Sequence, residues 1–247
     1  MFRPCVVIPF YNHAGCVGAV VEGVMAQQLT CVLVDDGSAP SAATTLDGLV
    51  NKAREQITVI RHPNNRGKGA AVLTGIRHAA TAGYSHAVQI DADGQHRVAD
   101  IPRFLEQAAA HPRALIVGCP QFDETVPPLR LWARYLTHVW VSINTLSRQI
   151  DDSMCGFRVY PLPAMMALCQ KHKLGERMNF DIEVLVRLYW AGLEIINLPT
   201  PVSYPADGVS HFRGWLDNYL ISRLHATLFF GMLARSPMLI ARHWSIR

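Results

Sequence analysis

What the 247-residue chain has little of narrows it first. Charged side chains make up only 17% of it, against 50% hydrophobic, which excludes a disordered chain. Long apolar runs are missing as well. In the C-terminal amphipathic segment the longest uncharged stretch, Ala226 to Ala234, falls well short of the roughly 20 residues a bilayer-spanning helix needs. The six cysteines (Cys5, Cys16, Cys31, Cys119, Cys155, Cys169) form no C-x-x-C pair and no zinc spacing. That argues against a zinc module or a disulfide scaffold and for reduced thiols in a cytosolic protein. No cleaved leader is expected, because the apolar run after Met1-Phe-Arg-Pro ends at Pro9. What remains is enough chain for one large or two small domains with a substantial core.

The net charge is +4, and its placement says more than its size. From Gly208 to Arg247, Arg213, Arg223, Arg235, Arg242 and Arg247 stand against one acid, Asp217, so the whole excess sits in this segment. A basic, apolar segment suits an acidic surface, lipid headgroups or nucleic acid. The segment lacks the dense Lys/Arg with interleaved aromatic platforms of a nucleic-acid binder, so lipid is the expected partner.

Through the first half, short apolar runs alternate with segments of helical length. Cys5–Phe10, Cys31–Val34, Ile57–Ile60, Ala87–Ile90 and Leu115–Val117 are nearly continuous in apolar residues, as strands of a parallel sheet covered on both faces are. The spacing predicts helices near 16–28, 41–55, 68–82 and 99–110, the last with Pro102 in its first turn. Such alternation predicts an open α/β sheet with right-handed crossovers, whose ligands bind beyond the carboxyl ends of the strands. Two longer amphipathic segments follow, Leu129–Ile150 and about Trp215–Arg235. In the first, Trp132, Leu136, Val139, Trp140 and Ile143 share one side, and Arg130, Arg134 and His138 repeat at i+4 along another. Both segments read first as core helices, with one or both lying in a membrane interface as the second reading.

Each strand end carries something chemically specific. After the first comes Pro9-Phe-Tyr-Asn12, and after the second Asp35-Asp36-Gly37-Ser38. Two adjacent carboxylates at a buried strand end are not both expected in the core; one should bond a base or ribose. After the third, Asn64-Asn-Arg-Gly-Lys-Gly69 opens a helix. Its backbone amides and Lys68 are expected to cradle an anion, although the P-loop spacing is absent. After the fourth, Asp91-Ala-Asp-Gly-Gln95-His96 offers carboxylates at i and i+2. These are hard oxygen ligands suited to Mg²⁺ or Mn²⁺ shared with a diphosphate. Together the four loops point to a nucleotide diphosphate.

The series Ile8-Pro-Phe-Tyr-Asn12, Val34-Asp-Asp-Gly-Ser38, Asn65-Arg-Gly-Lys-Gly-Ala-Ala71 with Gly75, and Asp91-Ala-Asp-Gly-Gln95 resembles glycosyltransferase family 2 of the GT-A fold. Its polyprenol- or dolichol-phosphate sugar transferase group is the nearest match. Asp152-Ser-Met-Cys-Gly-Phe-Arg158 resembles that group's acceptor-side loop D-x-x-[SC]-G-F-R, and Asn179-Phe-Asp-Ile-Glu183 its F-D-x-E helix start. His13 departs from the pattern, standing where the family usually has an acid. The resemblance implies a mostly parallel central sheet flanked by helices. It divides the chain into a GT-A catalytic domain, 1–211, and a basic amphipathic helical segment, 212–247. That segment is either membrane-associated or a linker to a further domain.

It also implies residue roles. Pro9, Tyr11 and Asp36 would surround the base and ribose, with Asp35 supporting their loop. Lys68 would lie near the base or phosphates, and Asp91, Asp93 and Gln95 would hold the divalent metal. Arg158 would face the acceptor, and His211 and Arg213 would fold over the diphosphate. The implied reaction is inverting transfer of a sugar from a nucleotide-diphosphate donor to a lipid-linked acceptor. It would take place at the cytoplasmic face of a membrane. A phosphate acceptor, already mostly dianionic at neutral pH with a second pKa near ~6, needs positioning more than deprotonation. A hydroxyl acceptor needs a base. Asp181 is the preferred candidate, ahead of Asp152 and Glu183. The rival readings are a non-catalytic nucleotide-sugar-binding module, which would be expected to lose a metal acid, and a sugar nucleotidyltransferase, whose N-terminal Gly-rich signature is missing.

Overall fold

A computed structural model describes residues 1–122, 126, 128–203 and 212–244. The five expected strands form: β1 (Pro4–Phe10), β2 (Cys31–Asp35), β3 (Ile57–Arg61), β4 (His86–Gln89) and β5 (Leu115–Phe122). Two more join them, β6 (Arg158–Pro161) and β7 (Ile195–Val202), giving a seven-stranded sheet of order β3-β2-β1-β4-β6-β5-β7. All neighbouring strands run parallel except β6, which is antiparallel to β4 and β5.

The continuous apolar strands are covered on both faces, as their composition demands. Along β1 the side chains alternate: Val6, Ile8 and Phe10 enter one buried cluster, Cys5 and Val7 the other. The first cluster holds α1 (Ala14–Met25), α2 (Pro40–Lys52) and α4 (Ile101–Ala110). The second holds α3 (Lys68–Thr81), α6 (Leu162–Lys171) and α7 (Phe180–Trp190). Against that second layer lie α5 (Pro128–Thr145), α8 (Gly214–Leu233) and α9 (Ser236–Trp244). Leu224, Leu228 and Met232 of α8 and Leu239 of α9 are buried in the same cluster, so the C-terminal segment packs onto the body of the fold.

No single helix among the described residues is long and apolar enough to cross a membrane. α8 and the first part of α9 pass that test only as a pair, bent by 76° at the break between them.

The inverted strand β6 brings one more segment to the edge where the parallel strands end. β1, β2 and β3 end level with one another, Phe10 beside Asp35 and Asp35 beside Arg61. Because β6 runs the other way, its first residue, Arg158, pairs with Gln89 at the end of β4 and with Val117 of β5. The segment 151–157 therefore enters at the edge where the parallel strands finish.

Candidate active site

The loop after β4 and the start of α3 meet at one lysine. Lys68 Nζ lies 2.8 Å from Asp91 Oδ2 and 3.1 Å from Asp181 Oδ2. Asp181 sits in the first turn of α7, where its Oδ1 accepts a bond of 3.2 Å from Gln89 Nε2. Gln89 Oε1 in turn accepts from the Tyr160 hydroxyl of β6 at 3.0 Å. Burial works against the Lys68 charge, but the Asp181 and Asp91 carboxylates outweigh it and hold the ammonium above the usual lysine value.

Gly156, in the loop before β6, passes close against this cluster. A Cβ there would stand 2.6 Å from both Asp91 Oδ2 and Lys68 Nζ, so a larger residue would displace the ends of these two side chains.

The Asp91 and Asp93 carboxylates fit a hard divalent cation. Asp91 Oδ1 is buried with no hydrogen-bond partner, an uncompensated acceptor of the kind an ion would satisfy. Burial and then the Asp91 charge push the Asp93 carboxyl upward, the mark of two acids that a cation would relieve. Gln95 adds a half-buried amide side chain one turn on. Among the described residues no three His, Cys, Asp or Glu side chains converge as a cage, which leaves coordination positions for a ligand's own oxygens.

Two imidazoles flank the pair. Burial lowers the His13 and His96 pKa values, and Asp91 opposes the shift in both, which leaves neutral rings beside the acids. His96 Nδ1 is buried without a partner.

Several expected roles change once the hydrogen bonds are traced. Asp35 and Asp36 are both core residues, contrary to the expectation that one would be free, because the loops around them supply the donors. Asp35 Oδ1 accepts from Ser38 N at 3.0 Å, and Arg61 approaches its Oδ2. Asp36 takes Arg66 N and His62 Nδ1 on Oδ1, at 3.0 and 2.7 Å, and Gly67 N on Oδ2 at 2.7 Å. The basic loop before α3 is thus no open anion cradle, since the Asp36 carboxylate already fills it. Ala70 N, next along, bonds the Glu176 carbonyl.

Arg158 does not face an acceptor. It is fully buried, and its guanidinium donates to the carbonyls of Cys155, Asp181 and Ser153 at 2.8, 2.6 and 2.8 Å. Asp152 and Glu183 are likewise spent as bases. Asp152 is held by Arg134 and by two backbone amides, and Glu183 accepts from Gly175 N and Arg187 Nε, both at 2.8 Å. Burial opposes the Asp152 charge, but His138 and Arg134 hold the carboxyl well below the usual carboxylate range. Of the three candidate bases, only Asp181 reaches the Lys68 cluster.

Pro9 and Tyr11 lie half-buried at the end of β1. Asn12 beside them ties the first two loops together, with its N–H to Ser38 Oγ at 3.0 Å and its Oδ1 accepting from Ala39 N at 2.9 Å. Arg213 caps the start of α8 with an exposed side chain, and its amide bonds Asp217 Oδ2 at 2.7 Å. His211 lies outside the described residues.

A family model described as glycosyl transferase family 2 matches residues 5–163. The chain belongs to this family. It is 27% identical over 221 residues to a polyprenol monophosphomannose synthase of Mycolicibacterium smegmatis, covering 86% of this chain and 82% of the relative. It is also 27% identical over 214 residues to a UDP-N-acetylglucosamine–dolichyl-phosphate N-acetylglucosaminyltransferase of Methanococcus voltae, covering 80% and 84%. In fold it resembles the glucosyl-3-phosphoglycerate synthase of Mycobacterium tuberculosis, solved with Mn²⁺, UDP-glucose and phosphoglyceric acid. The TM-score is 0.69 at 14% identity, over 94% of this chain and 79% of that one. The sheet and its flanking helices are those of the GT-A fold.

In this family 2 transferase, α5 carries the surprise. Its Trp132, Tyr135, Leu136, Val139, Trp140 and Ile143 face outward, while Thr137, Val141, Asn144 and Thr145 are buried and Arg134 and His138 turn inward. The helix is amphipathic the wrong way round for a core helix. The i+4 stripe of Arg134 and His138 was visible in the sequence, but not that this side of the helix met the protein, where Arg134 pairs with Asp152.

Proposed function

We propose that the protein moves a sugar from a nucleoside-diphosphate donor onto a lipid-borne monophosphate, with inversion at the anomeric carbon. It would work at an anionic membrane surface on the cytoplasmic side. The observation that carries this reading is the partnerless Asp91 oxygen beside Asp93, tied through Lys68 to Asp181 at the carboxyl edge of the sheet. The relatives named for polyprenol monophosphate and dolichyl phosphate support the acceptor class.

Asp91 and Asp93, with Gln95, would hold Mg²⁺ or Mn²⁺, which supplies charge neutralisation to a departing diphosphate. Lys68 keeps a fixed cation between the metal-side acid and the acceptor side, so charge growing on the diphosphate meets a preorganised site. Pro9 and Tyr11 line the entry where the nucleoside would lie, on loops that Asp35, Asp36 and Asn12 hold in place.

The acceptor phosphate oxygen attacks the anomeric carbon as the bond to the diphosphate oxygen breaks. A single displacement inverts that carbon. With a second pKa near ~6 the phosphate arrives largely deprotonated. Asp181, paired with Lys68, then has no proton to remove and serves to orient the ammonium. The outward aromatic face of α5 lies on the helix that also grips the acceptor-side loop through Asp152, which suits an acceptor held in lipid.

Thermal-shift titration with UDP-, GDP- and dTDP-sugars, in Mn²⁺ or Mg²⁺ and then in EDTA, tests the donor site. Ligand that binds only the folded state must raise the midpoint. The expected result is a shift with one nucleotide that requires metal and disappears in Asp93→Ala. No shift with any donor, or one indifferent to metal and to Asp93, overturns the reading.

A further inference from the structure

We propose that Arg134 is a positioning residue, whose forked ion pair with Asp152 sets the loop that backs the Lys68–Asp91–Asp181 cluster. The inference rests on the transferase reading above and concerns how its site is held. Arg134 Nε lies 2.6 Å from Asp152 Oδ2, and its Nη2 lies 2.7 Å from Oδ1. His138, one turn on, places Nε2 3.3 Å from the same Oδ2 and Nδ1 3.2 Å from Ser153 Oγ. Asp152 Oδ1 also accepts the amides of Met154 and Cys155, at 2.8 and 2.7 Å. Both carboxylate oxygens are therefore filled, and the buried group fixes the turn that leads into Gly156.

From that turn the contacts run directly to the reacting centre. The loop lies directly against the cluster at Gly156, where a Cβ would stand 2.6 Å from Asp91 Oδ2 and Lys68 Nζ and push both groups aside. Arg158 grips the same loop from inside, through the Ser153 and Cys155 carbonyls, and also donates to the Asp181 carbonyl. Two arginines thus hold one loop from opposite sides, one buried in the sheet and one on α5. The Arg134 guanidinium also lies over the Phe122 ring, 5.1 Å from its centroid, a cation–π contact that adds to its hold. Loss of the α5 clamp lets the loop shift, and a displacement of about 1 Å at a reacting centre costs roughly a hundredfold in rate.

The rival role for Arg134 is direct contact with the acceptor's phosphate, and the two roles predict opposite kinetics. Arg134→Gln, Arg134→Lys, Asp152→Asn and the Arg134→Gln/Asp152→Asn double variant would be assayed with a short polyprenyl monophosphate and the donor found by thermal shift. Melting curves would check that each is folded. A positioning role lowers kcat by roughly a hundredfold in both Gln and Asn variants and leaves the acceptor KM near the wild-type value. The double variant is then no worse than either single, because one pair is being broken, and Arg134→Lys recovers part of the rate with its single charge.

Hydrogen exchange at the Met154 and Cys155 amides gives a second readout that needs no turnover. Both amides should exchange faster in Arg134→Gln. An acceptor KM that rises in Arg134→Gln while Asp152→Asn behaves as wild type overturns the proposal, as does unchanged exchange at these amides. The exchange experiment decides the positioning claim even where no sugar transfer is found.

Discussion

Lys68 is one ammonium shared by two largely buried carboxylates, at 2.8 Å from Asp91 and 3.1 Å from Asp181. Removing it leaves like charges facing each other in a site where burial already penalises them. Breaking a buried pair this way costs about 3–5 kcal/mol, and the lower end applies because Asp91 keeps some solvent contact. Lys68→Met should therefore melt lower than the wild type in EDTA and regain part of the loss in saturating Mn²⁺, whose charge replaces the missing cation. A variant whose melting point ignores Mn²⁺ would separate Lys68 from the Asp91–Asp93 site.

The residues of this cluster were legible in sequence because carboxylates and a lysine at successive strand ends are unusual and ordered. The supporting groups were not. Asp36 reads as a ribose ligand until its three donors are seen, and Arg158 as an acceptor contact until its three carbonyl partners are seen. A buried loop's demand for hydrogen bonds is set by its path, and composition does not report a path.

Between α5 and α8 a polar pair lies buried. His225 Nδ1 stands 3.2 Å from Asn144 Nδ2, while His225 Nε2 and Asn144 Oδ1 lack partners. Burial lowers the His225 pKa to about 4. In the unfolded chain the ring titrates near ~6.5, so between these values the unfolded state binds a proton that the folded state refuses. Stability from this group is complete above that upper value and is lost as the pH falls towards the lower one. The loss amounts to about 3 kcal/mol. Urea denaturation at pH 7.5 and 4.5 should show that drop in the wild type and a smaller one in His225→Gln. Equal drops would mean that the helix pair opens to water before the ring titrates.

Elements were legible where one physical rule governed them. Five continuous apolar runs became five parallel strands with both faces covered, and the helices between them start within two residues of their expected positions. β6 escaped because it is four residues long and holds a buried arginine and tyrosine. β7 escaped because Pro199 and Pro201 argue against a strand, a rule that relaxes at a sheet edge, where β7 lies. The orientation of α5 is a third case. Periodicity located its two sides and gave no sign of which one meets water, protein or lipid.

At the scale of the molecule, the positive excess and the apolar face lie on neighbouring helices, and their contributions to the proposed membrane contact would separate. Of the C-terminal arginines, Arg235 lies over Trp190 and bonds the Gly231 carbonyl, and Arg242 lies over Tyr189 and bonds the Tyr189 and Leu193 carbonyls. Both serve the fold. Arg213 and Arg223 are exposed and free to meet headgroups, at about 1 kcal/mol each near an anionic surface. The apolar side chains of α5 and α8 would then carry the larger share of the proposed contact, led by Trp132 at 70% exposure, Tyr135 at 64% and Trp215 at 96%. Co-sedimentation with phosphatidylserine-containing vesicles should accordingly weaken, without vanishing, as salt rises from 0.1 to 1 M and the screening length shrinks from about 10 to 3 Å. Trp132→Glu with Tyr135→Glu should weaken sedimentation at every salt concentration. Its melting point and donor-induced shift should stay unchanged, because both side chains point away from the core and from Lys68. A double variant that sediments as the wild type does would remove α5 from the membrane contact and leave the outward aromatic face to another partner.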